Sequence, residues 1–190
     1  MSLVLGIDPG FAAMGWAVVD PATMHCKAVG LIRTAKDKRK VLATADNVKR
    51  GRELLVGLAA VLDRWNVAAI ASESMSWPRN AGVTGKMGIA WGVIIAVAEI
   101  HGLPLVTVSP QDLKRAATGR KNASKTDVFC AATGVGSPLG VAGVVPGLLT
   151  RLDDSGIPEG KWEHPVDAAC AVYATRESDV MRALQRGGAT

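Results

Sequence analysis

The chain reads as an α/β protein, a mixed sheet flanked by helices. Three observations predict it. Short apolar runs separated by turn signals crowd the stretch before Arg33. Helix-period and strand-like segments alternate after it. The 190 residues are 48% hydrophobic and 21% charged, enough apolar material for one continuous core and one domain spanning 1–190.

Residues 2–7 form a short apolar run that ends at Asp8-Pro9-Gly10, a buried strand followed by a turn. A second strand over 15–19 carries Trp16, Val18 and Val19 and stops at Asp20-Pro21, and a third covers 26–32. Connections this brief favour an antiparallel meander. Over 41–65 the period changes: Leu54, Leu58, Leu62 and Trp65 recur three or four apart, one face of a long helix. The continuous apolar run 67–72 is a strand leading into Glu73. A helix over 82–100, a strand over 103–108 and helices over 110–117 and 125–132 follow. A final long helix is predicted over 164–184, with Pro165 in its first turn. Residues 134–160 hold seven Gly and three Pro and read as a long surface loop inserted in the domain. Its Gly134-Val135-Gly136 follows no strand, so it is not a dinucleotide fingerprint.

Composition removes whole classes of function. The longest apolar run, 88–98, lies between Lys86 and Glu99 and falls short of the roughly 20 residues that span a bilayer, so no membrane partner is expected. The opening residues run straight into a strand rather than into a charged-then-apolar leader. Cys26, Cys130 and Cys170 are too scattered for a CxxC zinc site and too few for a disulfide scaffold, which points to a reducing, cytoplasmic setting. The net charge is +5, unevenly spread. Nine basic residues face two acidic ones between Lys27 and Arg52, and five face one between Gln111 and Lys125. Such patches suit a polyanion, although a solvated helix face has the same composition.

Against that basic background, Asp8 and Glu73 stand out because each ends an apolar strand. If the strands are neighbours, the two carboxylates converge. Near the C-terminus, His164 and Asp167 share a helix face at i, i+3. Three carboxylates and an imidazole from three elements suit Mg²⁺ or Mn²⁺. Two such ions, about 4 Å apart, would bracket a scissile phosphate. Each residue also has a plainer role available: Asp8 in a turn, Glu73 at a strand end, and Asp167 and His164 at a helix start.

Gly6-Ile7-Asp8-Pro9-Gly10 followed by Gly15-Trp16-Ala17-Val18-Val19 resembles the opening of the RuvC family of Holliday-junction resolvases. Ala71-Ser72-Glu73 with Asn80-Ala81 and Lys86-Met87-Gly88 resembles its second segment. Pro110-Gln111-Asp112-Leu113-Lys114, with Thr118-Gly119 and Lys125, resembles the third, and His164-Pro165-Val166-Asp167-Ala168-Ala169 the fourth. Any one block is weak, but the four occur in order and cover most of the chain outside 134–160. The resemblance implies an RNase H-like five-stranded mixed sheet, a homodimer acting on branched DNA, and a magnesium- or manganese-dependent endonuclease of DNA recombination and repair. It places metal-binding and catalytic roles on Asp8, Glu73, His164 and Asp167. It places DNA contacts on Trp77, Arg79, Asn80, Lys86, Lys114, Arg120, Lys121 and Lys125. The family often carries an aromatic wedge where this chain has Ser76, and Trp77 follows it. The 134–160 insertion, ending just before His164, is expected to form a flap beside the metal site. Three other readings stay open: an RNase H-like nuclease on structured or precursor RNA, an actin-like ATPase, and a junction-binding protein without catalysis.

Overall fold

Strand β1 (Leu3–Asp8) is apolar on both faces because both are covered: Leu3, Val4, Leu5 and Ile7 are all buried in the computed structural model, which describes residues 2–75, 80–137 and 142–187. β2 (Ala13–Val19) returns antiparallel to β1, pairing Ile7 with Trp16 and Asp8 with Gly15, and β3 (Cys26–Arg33) pairs antiparallel with β2. Helix α1 (Ala43–Arg64) crosses to β4 (Val67–Glu73), parallel to β1. Helix α2 (Ala81–Ile100) then leads to β5 (Leu105–Val108), parallel to β4. The strand order is β3-β2-β1-β4-β5, the expected five-stranded mixed sheet.

Period-two alternation divides the core between the two faces of this sheet. Leu5, Ile7, Val18 and Ile70 face α1 and α2, meeting Leu54, Leu58, Ile94 and Val97. Val4, Ala17, Val19, Ala69 and Ala71 face the other way. There they meet α3 (Pro110–Thr118), α4 (Lys125–Thr133), α5 (Leu148–Asp154) and α6 (Glu163–Ala174). Each buried Leu or Ile contributes about 1.5–3 kcal/mol, so both faces are needed. Caps set the helix ends. Ser109 caps α3, with Pro110 in the first turn, and Ser124 and Asp127 form a capping box on α4. Left-handed Gly119 (φ 78°) and Gly134 (φ 82°) close the two helices.

Three expectations need correction. The 134–160 stretch is not simply a surface loop: it contains α5, and Val145, Leu148 and Leu152 are fully buried. Cys26 donates its N–H to the Pro146 carbonyl at 2.8 Å, and a Cβ on Gly143 would overlap the Ala132 carbonyl. Glycine here allows close packing against α4, which composition alone cannot distinguish from looseness. The final helix is two helices, α6 and α7 (Asp179–Gly187). Thr175 turns its hydroxyl back to the Ala171 carbonyl at 2.9 Å, and α7 then buries Met181. Thirdly, α2 is twenty residues long and, by length and composition, apolar enough to cross a membrane. The apolar run 88–98 understates it because Lys86 and Glu99 lie inside the helix. Ala90, Ile94, Val97 and Ala98 pack it onto the core, while Val83, Ile95 and Ile100 are exposed. The three cysteines are free, with Cys26 and Cys170 buried.

Candidate active site

Asp8 and Glu73 occupy the last positions of two neighbouring parallel strands. Ile7 is in register with Ser72, so the two carboxylates stand side by side at the carboxyl end of the sheet. Alternation puts Asp8 on the face of Val4, and Glu73 on the face of Ala69 and Ala71. That is the face covered by α6. Two glycines bring α6 unusually close: a Cβ on Gly6 would overlap the Ala168 carbonyl, and one on Gly15 would overlap the His164 backbone. His164 and Asp167, one helical turn apart, therefore arrive over the ends of β1 and β4. This packing explains why small residues, Ala168, Ala169 and Ala171, are among those α6 buries.

The His164 ring and the Asp8 carboxylate are joined by a 2.7 Å hydrogen bond from Nδ1 to Oδ2. The carboxylate accepts, so Nδ1 carries the proton and Nε2 is the edge turned away from Asp8. This bond to Asp8 raises the His164 pKa against the opposing effect of partial burial. Glu73 is pushed up to about 7, first by burial and then by the Asp8 and Asp167 charges, with Lys114 and Lys125 pulling the other way. Burial, followed by repulsion from Asp8, also raises Asp167 to about 7. A cavity of about 220 Å³ joins Glu73, Asp167, Lys114 and Lys125. The acids thus share one pocket and carry more negative charge than it can comfortably hold.

Among the described residues, no three His, Cys, Asp or Glu side chains are gathered tightly enough to hold a metal ion as they stand. The carboxylates converge on one end of the sheet without closing on one point. The donor set itself, three carboxylates and one imidazole, suits a hard divalent cation.

Sequence reasoning missed one neighbour of these acids. Glu163 forms an ion pair with Lys125, and its Oε1 lies 3.8 Å from His164 Nε2. This pairing holds Glu163 below the usual carboxylate range. Its position immediately before His164, in the first turn of a helix, was the available signal. The residues expected to contact DNA separate into groups. Lys114 and Lys125 lie beside the acids. Arg120 is exposed and pairs with Asp127 at 3.2 Å, and Lys121 is exposed nearby. Lys86 is exposed on α2, whereas Asn80 caps that helix through its side chain. Trp77 and Arg79 lie outside the described residues.

Comparisons with known proteins give the family and the fold. Residues 4–134 match the model of the family described as crossover junction endodeoxyribonuclease RuvC. That span includes Asp8, Glu73, Lys114 and Lys125 but stops before α6. A crossover junction endodeoxyribonuclease RuvC of Pseudothermotoga lettingae is 30% identical over 128 residues, 66% of this chain and 75% of that protein. A structure of T. thermophilus RuvC in complex with Holliday junction substrate superposes with a TM-score of 0.69 at 22% identity, covering 98% of this chain and 97% of that one. The yeast mitochondrial Holliday junction resolvase Ydc2 gives 0.60 at 12% identity, covering 98% and 84%. At these identities the two structures speak for the shared RNase H-like fold, including α6.

Proposed function

The chain belongs to the RuvC family of crossover junction endodeoxyribonucleases, metal-dependent nucleases, and on that premise we propose that it resolves four-way DNA junctions by hydrolysing one phosphodiester in each of two symmetric strands. Asp8, Glu73 and Asp167 would hold two Mg²⁺ or Mn²⁺ ions, which would supply Lewis-acid stabilisation of the phosphate and a deprotonated water, leaving the His164 imidazole for proton transfer. One observation carries the assignment: Glu73 and Asp167 line one pocket, close enough to Asp8 at the end of the neighbouring strand to feel its charge, and both are pushed to about 7. A structural role would not need such an unbalanced arrangement, whereas cation binding relieves it.

The other residues then have definable tasks. Asp8 orients the imidazole and keeps the proton on Nδ1. His164 Nε2 is the edge that accepts or donates a proton at the reacting oxygens. Lys114 and Lys125 offset the charge of the acids and hold a DNA phosphate at the pocket mouth. Lys125 exchanges its Glu163 partner for that phosphate as DNA arrives. Two copies of the chain would match the two-fold symmetry of the junction. The exposed apolar residues of α1 and α2, among them Val48, Val56, Ile95 and Ile100, favour these helices as the pairing face.

The test is a Mg²⁺-dependent cleavage assay on a mobile four-way junction, with linear duplex and structured RNA as controls. Asp8→Asn and Glu73→Gln should each abolish cutting and leave junction binding intact. Cleavage retained in both purified variants would remove these residues from the chemistry.

A further inference from the structure

A buried polar cluster lies on the other side of the sheet end from Lys114 and Lys125. Asp46 and Arg50, one turn apart on α1, are buried together at 3.9 Å. Arg50 Nε donates to Thr34 Oγ1 at 2.8 Å, and the Thr34 hydroxyl donates to the Phe11 carbonyl at 2.7 Å. The Arg50 guanidinium also lies 4.2 Å from the centre of the Phe11 ring. Asp46 in turn accepts from the Asp37 backbone N–H at 2.7 Å. The cluster ties together the turn after β1, the end of β3, the 35–40 loop and α1. A buried ion pair adds little net stability compared with apolar residues of the same size. What it supplies is position, and the positioned loop is strongly basic.

Pairing within the protein accounts for part of the excess charge in this region. Lys27 pairs with Asp20, Arg39 with Asp37, Lys49 with Glu53 and Arg50 with Asp46. Among the described residues, Arg33, Lys36, Lys38 and Lys40 have no acidic partner, and all four are exposed. Beside them runs a groove of about 590 Å³, walled by Ala12, Leu31, Arg33, Thr34, Pro158 and Lys161. Its charged lining is entirely cationic, because Glu159 lines a neighbouring cavity instead. The groove adjoins the acidic pocket: Ala13 is two residues from Gly15, which packs on His164, and Lys161 is three residues before His164.

Resting on the nuclease reading above, we propose that this groove, with Arg33, Lys36 and Lys161, is a second phosphate-binding surface that grips the backbone of one duplex arm of the substrate. It lies towards the β3 edge of the sheet, while Lys114 and Lys125 lie towards β5. The acids at the ends of β1 and β4 stand between the two. The substrate is thereby held on both sides of the acids, and the buried cluster fixes where the second grip lies.

The experiment measures binding of a synthetic four-way junction as a function of salt. It compares the wild-type chain, R33A/K36A/K161A, and R176A/R182A/R186A, which removes the same charge from the region of α7. The groove variant should have a log–log slope shallower by about 0.9 for each phosphate that it no longer neutralises, and roughly eightfold weaker binding per such phosphate near 0.1 M salt. Equal slopes for the groove and control variants would overturn the proposal. A wild-type chain that binds neither the junction nor linear duplex would overturn the nuclease reading itself, before any variant is compared.

Discussion

Two clusters of charge lie near the same end of the sheet, and they are built on opposite plans. The Thr34–Asp46–Arg50 cluster is matched: each buried charge faces its opposite or a hydrogen-bonding partner. The site around Asp8, Glu73 and Asp167 is unmatched: with Glu163 it gathers four carboxylates against one imidazole and two lysines, and two of the acids are displaced to about 7. The first arrangement holds a loop in place. The second holds charge that something from outside must neutralise. Burial of ionisable groups is therefore not the mark of function here; imbalance among them is.

The largest effect that would sharpen this contrast is on catalysis. Asp167→Asn should lower junction cleavage by roughly 10³-fold or more, since removing a metal-binding carboxylate costs several kcal/mol of transition-state stabilisation. Single-turnover assays with saturating protein read it, and a loss below tenfold would place Asp167 outside the site.

Next comes the matched cluster. Arg50→Ala should destabilise the fold by about 3–5 kcal/mol in urea denaturation, because Asp46 is left buried without its partner. The double replacement Arg50→Met with Asp46→Leu should recover most of that stability yet release the 35–40 loop. Additive losses in the double variant would show that the two charges do not act as a pair.

The smallest effect concerns pH, and its sign separates the two clusters. Glu73 and Asp167 have folded pKa values above those of the unfolded chain. Their contribution to stability is fully present below about pH 4 and is lost as pH rises through about 7. Without divalent ions the protein should therefore weaken over that window. Asp167→Asn should be more stable than the wild type at pH 8, by about 1–3 kcal/mol, and indistinguishable from it near pH 4. Added Mg²⁺ should stabilise the wild type at pH 8 and not the variant. Chemical denaturation at the two pH values, with and without Mg²⁺, checks both statements, and a wild type more stable at pH 8 without metal would contradict them.

Much of this was open to sequence reasoning, and the failures have physical causes. Val67–Glu73 is recognisable because a doubly covered parallel strand is apolar without interruption, and a carboxylate at its end is conspicuous. Helix α5 was hidden because its buried Leu148 and Leu152 sit in a glycine-rich context whose tight packing looks like looseness. The break between α6 and α7 was hidden because helical periodicity continues across it. Glu163 was overlooked because its partner, Lys125, is distant in the chain.

The amino-acid order alone determined the alternation of strands and helices, the carboxylates at the strand ends and the i, i+3 pair on α6, since all of these depend on neighbours in the chain. Tertiary structure decided which distant groups share a pocket. That Gly6 and Gly15 let α6 settle onto β1 and β2, and that Arg50 secures the basic loop to α1, depends on contacts between segments far apart in sequence, and local periodicity carries no trace of those.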